Sequence, residues 1–225
     1  AFWMEGAKWL DQVLGRKWDV NSKTEKAARG KVCYHRAGIA QQIDELDVMK
    51  TSVESALALC EEVGDAWGTA YSRALVADYL IRAVDITGTD ALLETSLNEF
   101  QKLGDIWGEG FVLSLLTRYY MLSEGKGKEH VETRQKRIAL ARKSGDRYSL
   151  ANALSGQAMN HIFHGEWDQA DVALREAEQL LVEADLSMGN GQTQMWHAFL
   201  FIGRGELEKG KFELVSFIDW GNRVG

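Results

Sequence analysis

The chain has no proline, only two cysteines and no long hydrophobic run, and each absence excludes a class of protein. Proline inside a helix costs about 3 kcal/mol, so its absence from 225 residues favours a chain built almost wholly of helices. Cys33 and Cys60 are too few and too isolated for a disulfide framework, and we expect reduced, buried thiols and a cytoplasmic location. No apolar stretch approaches the ~20 residues that a membrane-spanning helix needs.

The chain also has fewer basic than acidic residues. The formal net charge is −7, from 26 basic and 33 acidic residues. Proteins that bind nucleic acid usually present a basic face, so we expect neither nucleic acid nor membrane among the partners.

A short phrase of residues occurs three times, as Gly64–Trp67, Gly104–Trp107 and Gly145–Tyr148, at spacings of 40 and 41 residues. A fixed period of this length is the signature of a stacked repeat array. The glycine can take the left-handed conformation that ends one helix, and the aspartate that follows it can cap the next. The phrase therefore predicts a junction between two helices, and we assign it no chemistry.

A second junction lies half a period away, where residues 164–170 and 204–210 match each other 40 residues apart. Together the junctions predict an all-α fold with one repeat domain over residues 1–225, which we expect to be a fragment of a larger protein. This domain would comprise a leading helix at 5–14 and five helix pairs, at about 24–63, 65–103, 105–144, 146–184 and 187–220.

The stretch His164–Ala170, followed by Leu174 and Ala177, resembles the second half of the tetratricopeptide signature, and Ala158 matches its small residue. The resemblance implies a right-handed α-solenoid, a superhelix of stacked helix pairs. The chain departs from the family pattern at Gln157 and His161, lacks the proline that ends each repeat, and has a period of about 40 rather than 34 residues.

The longer period, with its Leu-Gly-Asp-x-Trp-Gly junctions, is similar to the sensor arms of bacterial signal-transduction ATPases and LuxR-type regulators. The resemblance implies a recognition arm of a larger cytoplasmic signalling or transcription regulator, which binds its partner in a concave groove. A free-standing adaptor that scaffolds a protein complex is the alternative. An enzyme that uses the groove as its active site is the third hypothesis.

In that family the first helix of each pair lines the groove. The corresponding positions carry aromatic, methionine, amide and arginine side chains, which suit a protein or peptide segment with acidic groups, or a small-molecule effector. The alternative is that several of them pack between helices. The candidates are Tyr34, Gln41, Tyr71, Asp78, Arg82, Phe111, Ser114, Arg118, Asn152, Ser155, Met159 and Met195.

Catalytic and metal-binding patterns are weak in this sequence. His161 and His164 lie three residues apart, but spacing fixes no third ligand. No nucleophile elbow, paired-carboxylate motif or phosphate-binding loop occurs, so we predict a protein that is not an enzyme and has no cofactor or metal. Arg73 occupies a normally apolar position, and we expect it either to pair with a carboxylate or to mark a shift in register.

Overall fold

The structure, a computed structural model, describes residues 2–185 and 191–224. Every regular element in these two ranges is an α-helix, which confirms the all-α class. The predicted start of the last helix pair, Ser187, lies outside the described residues. The helices are α1 Phe2–Leu14, α2 Lys23–Gln42, α3 Leu46–Val63, α4 Ala66–Arg82, α5 Thr89–Leu103, α6 Ile106–Leu122, α7 Gly127–Ser144, α8 Arg147–Phe163, α9 Trp167–Glu183, α10 Gly191–Gly203 and α11 Leu207–Val224.

Each repeated Gly-Asp phrase ends one helix and begins the next. Gly64 and Gly104 take the left-handed conformation, with φ of 76° and 66°, a region that a Cβ atom disfavours. The side chain of Asp65 then accepts the Gly68 N–H at 2.9 Å, and that of Asp105 accepts the Gly108 N–H at 3.0 Å. These bonds satisfy donors that every helix leaves open at its start.

The spacing of apolar residues explains why the segments between junctions stay helical. In α5 the fully buried residues are Thr89, Leu93, Ser96 and Phe100, which recur at steps of three and four. This spacing places them on one face of the helix. The face packs against α4 and α6, and the Ser96 hydroxyl donates to the Ala70 carbonyl of α4 at 2.7 Å.

The chain divides into two compact units, residues 1–131 and 132–225. In the first unit each helix packs against its sequence neighbour, and α4 also contacts α2 and α6. In the second unit α8 packs against α9 and α10, and α10 packs against α11. Packing between consecutive helices, together with contacts between the first helices of successive pairs, is consistent with a helical repeat.

The core of the first unit includes both cysteines. Cys33 and Cys60 are free thiols buried beside Met49, Val53 and Leu75. Burial raises the pKa of the Cys60 thiol to about 11, because the thiolate would lose its hydration. Both side chains therefore act as small apolar groups in the core.

Arg73 pairs with carboxylates, which confirms the first of the two outcomes expected for it. Its guanidinium donates to Glu61 at 3.1 Å and to Glu99 at 2.5 Å, so α4 keeps its register. Within the described ranges, no helix combines the length and the apolar composition that crossing a bilayer requires.

The junction glycines provide a test of this packing. Gly108 lies directly against the buried ring of Phe100, and a Cβ atom at that position would overlap the ring. We expect Gly108→Ala to lower the free energy of unfolding by about 1–3 kcal/mol through overpacking, although alanine favours a helix. Urea denaturation followed by tryptophan fluorescence measures the change.

Gly38→Ala, in the interior of α2, is the matched control. Its new methyl group would meet the Tyr71 hydroxyl at an ordinary contact distance of 3.6 Å. The gain in helix propensity should therefore stabilise the unit, by up to about 1 kcal/mol. Equal effects of the two substitutions would contradict the close approach of α6 to Phe100.

Candidate binding surface

Three helices of the first unit, α2, α4 and α6, present the candidate residues of that unit. One face of α4 carries Trp67, Tyr71, Asp78 and Arg82, at steps of four, seven and four residues. The equivalent face of α6 carries Trp107, Phe111, Ser114 and Arg118. Because α4 contacts both α2 and α6, these faces lie side by side.

Tyr34 of α2 and the first halves of α4 and α6 form an aromatic row, which consists of Tyr34, Trp67, Tyr71, Trp107 and Phe111. The rings of Trp107 and Phe111 stack with their centroids 5.6 Å apart and an interplanar angle of 5°, and the rings of Trp67 and Trp107 stack with their centroids 6.1 Å apart. The ring centroid of Tyr71 lies 5.4 Å from those of both Tyr34 and Phe111. The contacts are therefore continuous across the three helices.

Exposure varies along the aromatic row. Tyr34 is buried, Trp67, Tyr71 and Phe111 are half-buried, and Trp107 is 53% exposed. Burial raises the pKa of the Tyr34 phenol to about 12 and also raises that of Tyr71, so both remain neutral hydroxyls at physiological pH. The accessible part of the row is thus apolar and aromatic.

The C-terminal halves of α2, α4 and α6 form an arginine cluster, which consists of Gln41, Asp78, Arg82 and Arg118. Asp78 is completely buried. Its carboxylate accepts from the Gln41 amide and from Arg82 Nε at 3.3 Å, and it forms an ion pair with Arg118. Three predicted residues, one from each helix, thus meet at the carboxylate of a fourth.

The electrostatics of the arginine cluster follow from the burial of Asp78. A buried carboxylate is costly unless it is paired and hydrogen-bonded, and here two guanidinium groups and an amide surround it. Burial lowers the pKa of the Arg118 guanidinium, yet an arginine stays protonated near neutrality because its reference pKa is so high. The two arginine side chains remain 28% and 33% exposed.

Two further predicted residues are serines whose hydroxyls form hydrogen bonds within the protein. Ser114 is half-buried, and its hydroxyl donates to the Phe111 carbonyl at 2.6 Å within α6. Ser155 is only 1% exposed, and its hydroxyl is 3.0 Å from that of Thr193. The hydroxyls of Ser155 and Thr193 satisfy each other, so Ser155 joins α8 to α10 and is not accessible.

The remaining three candidates, Asn152, Met159 and Met195, are half-buried in the second unit. No hydrogen bond or ion pair joins them to each other in the described part of the chain. The first unit therefore brings seven of its predicted residues into two contiguous groups, whereas the described residues of the second unit show no comparable cluster.

Sequence reasoning missed Trp67 and Trp107 as surface-forming residues. Both belong to the repeated junction phrase, to which only a capping role was assigned. Trp67 does serve the junction, because its indole N–H donates to the Asp105 side chain that caps α6. The signal that could have revealed them is the tryptophan four residues before each of Tyr71 and Phe111, at the same 40-residue period.

A second concave feature lies in the other unit, between α7, α8 and α9. It is a cavity of about 840 Å³ lined by apolar side chains such as Ile138, Leu154 and Val172. An ion pair between Arg142 and Glu176, at 2.8 Å, lies at its edge. The cavity is also lined by His161, which pairs with Glu166 at 2.5 Å.

Histidine, cysteine and acidic side chains do not converge on a metal site within the described residues. His161 is engaged by Glu166, and His164 Nδ1 lies 2.8 Å from the Asn160 carbonyl. Comparison with models of protein families gives no match, and comparison with curated proteins finds no similar sequence. The function is therefore inferred from the residues of this chain.

The buried carboxylate gives a prediction about stability. Asp78→Ala would leave two guanidinium groups without their shared partner, which typically costs about 3–5 kcal/mol for a fully buried pair. Because both arginines are partly exposed, we expect the lower end of this range. Asp78→Asn keeps an acceptor oxygen and should cost less.

Glu54→Ala, which removes an exposed carboxylate from α3, is the control and should change the stability by less than about 0.5 kcal/mol. The urea denaturation midpoints of Asp78→Ala, Asp78→Asn, Glu54→Ala and the wild type measure these differences in stability. Equal midpoints for Asp78→Ala and Glu54→Ala would refute the description of Asp78 as the centre of the arginine cluster.

Proposed function

We propose that the protein is a recognition module that binds a protein or peptide segment on the surface formed by α2, α4 and α6. The single observation that carries this proposal is the aromatic row beside the arginine cluster on the same three helices. Tryptophan, tyrosine and arginine are the residues most enriched among those that dominate binding energy at protein interfaces. Here residues of these three types lie together, and Trp107 is 53% exposed.

We further propose that the helix pairs of the first unit stack as a tetratricopeptide-like right-handed solenoid, and that this surface is its concave groove. The 40-residue period and the packing of consecutive helix hairpins support this architecture. In that case the chain would serve as the sensor arm of a larger bacterial cytoplasmic regulator. Binding of a partner would favour one arrangement of the arm over another and so bias a switch elsewhere in the protein.

The surface has the properties that recognition needs. The aromatic rings are held by contacts with their neighbours, so little side-chain entropy would be lost when a partner covers them. Trp107 offers a flat apolar ring that is half accessible, and stacking with Trp67 and Phe111 holds it in place. The arginine cluster adds charge at the other end of the surface, which supplies specificity.

A binding experiment with peptides tests the proposal. Nonapeptides are selected from a random displayed library against the whole chain, and their affinities are then measured by fluorescence anisotropy. We expect Trp107→Ala to weaken the selected peptides by at least tenfold, because truncation of an interface hot spot typically costs about 2 kcal/mol or more.

Trp9→Ala is the matched control, since Trp9 is 64% exposed on α1, outside the proposed surface. Its affinities should stay within about twofold of the wild type, as expected for a residue that touches no ligand. The proposal fails if the library yields no specific peptide, or if the two tryptophan variants lose affinity equally.

A further inference from the structure

The arginine cluster contains more positive charge than its own structure neutralises. Asp78 contributes one negative charge, and Arg82 and Arg118 contribute two positive charges. Within the described residues, no other acidic side chain forms an ion pair with either guanidinium. The cluster thus has an excess of one positive charge, carried by two arginines whose side chains are partly exposed.

The hydrogen-bonding capacity of the cluster is likewise not used up. A guanidinium group has five N–H donors. Arg82 donates through Nε to Asp78, and the described chain provides no acceptor for its two Nη groups. Arg118 contacts Asp78 through one Nη group, and its buried Nε has no hydrogen-bond partner among the described residues. The Nη groups of Arg82 therefore remain as donors for an additional acceptor.

The two guanidinium groups are also held in place before any ligand arrives. Asp78 is completely buried and contacts both of them, while the Gln41 amide holds the same carboxylate from α2. A charged side chain that is already positioned loses less entropy on binding than a free one. Arg82 lies in the last turn of α4, where the helix dipole also favours positive charge.

On these grounds we infer that the arginine cluster is a subsite for one carboxylate, provided by an aspartate or glutamate side chain of an extended peptide whose apolar side chain lies on the aromatic row. This inference rests on the proposed function and names the chemistry of its ligand. One carboxylate neutralises the excess charge. A phosphate dianion would overcompensate it and place additional negative charge near Asp78.

The dimensions of the surface set the spacing within the ligand. Arg118 follows Phe111 by seven residues and Trp107 by eleven, which corresponds to about 10 and 16 Å along α6. In an extended peptide, residues i and i+4 face the same side and lie about 13 Å apart. The preferred ligand therefore has an acidic residue four positions from an aromatic or large apolar residue.

The displayed nonapeptide library tests this inference directly, because enrichment at each pair of positions can be counted. We expect the wild type to enrich aspartate or glutamate four positions from an aromatic or large apolar residue. The variant D78N/R82Q/R118Q, which is uncharged at all three positions, should keep the apolar preference and lose the acidic one. R175Q is the control, because it causes the same change of −1 in net charge at an exposed site in the other unit.

Synthetic peptides complete the test without depending on the folding of any variant. Changing the acidic residue of a selected peptide to its amide should weaken binding to the wild type about tenfold, the effect of losing a hydrogen bond to a charged group. Replacing that residue by phosphoserine, or moving the only carboxylate to the peptide's C-terminus, should also weaken binding. Stronger binding of either peptide would overturn the assignment to a single acidic side chain.

The outcomes separate the two proposals. Selection of apolar peptides with no acidic preference would overturn the carboxylate subsite and leave the proposed recognition function in place. The same result follows if the acid and amide peptides bind the wild type equally well. Failure of the wild type to select any peptide would overturn both.

Discussion

The junction between successive helix pairs is the constraint on which the first unit depends. A left-handed glycine reverses the chain, an aspartate caps the next helix, and a glycine three residues after that aspartate lets the helix approach its predecessor. At the second junction this approach brings Gly108 against the ring of Phe100, while the indole N–H of Trp67 bonds to the capping Asp105. Helix termination, capping and close packing are thus coupled within a few residues.

The candidate surface is a consequence of this coupling. Because the junctions start α4 and α6 at equivalent points, residues 40 positions apart become neighbours: Trp67 beside Trp107, Tyr71 beside Phe111, and Asp78 beside Arg118. The rings gather near the start of the helices and the charges near their ends. A surface with an apolar half and a positively charged half therefore arises from a repeat that serves mainly to pack helices.

The buried carboxylate of Asp78 shows how stability and recognition can share one residue. Replacing a buried ionic group by apolar residues often does not destabilise a protein, so such a group is weak evidence of a need for stability alone. Here the carboxylate orients two arginines that remain partly exposed. The proposed role in binding accounts for a charge that an apolar side chain could have replaced in the core.

The all-helical class and the junctions could be predicted from sequence, because proline is absent and local capping chemistry repeats at a fixed period. Candidate residues such as Gln41, Asp78 and Arg118 could be named, but not their meeting at one carboxylate, since such contacts depend on the packing of three helices. Exposure was equally a matter of packing: Ser155 is buried against Thr193, whereas Trp107 lies half open. Local hydrogen bonds depend on residues that are close together in the sequence, so the sequence alone predicts them. Burial and charge pairing depend on residues far apart in the chain, so only the tertiary structure decides them.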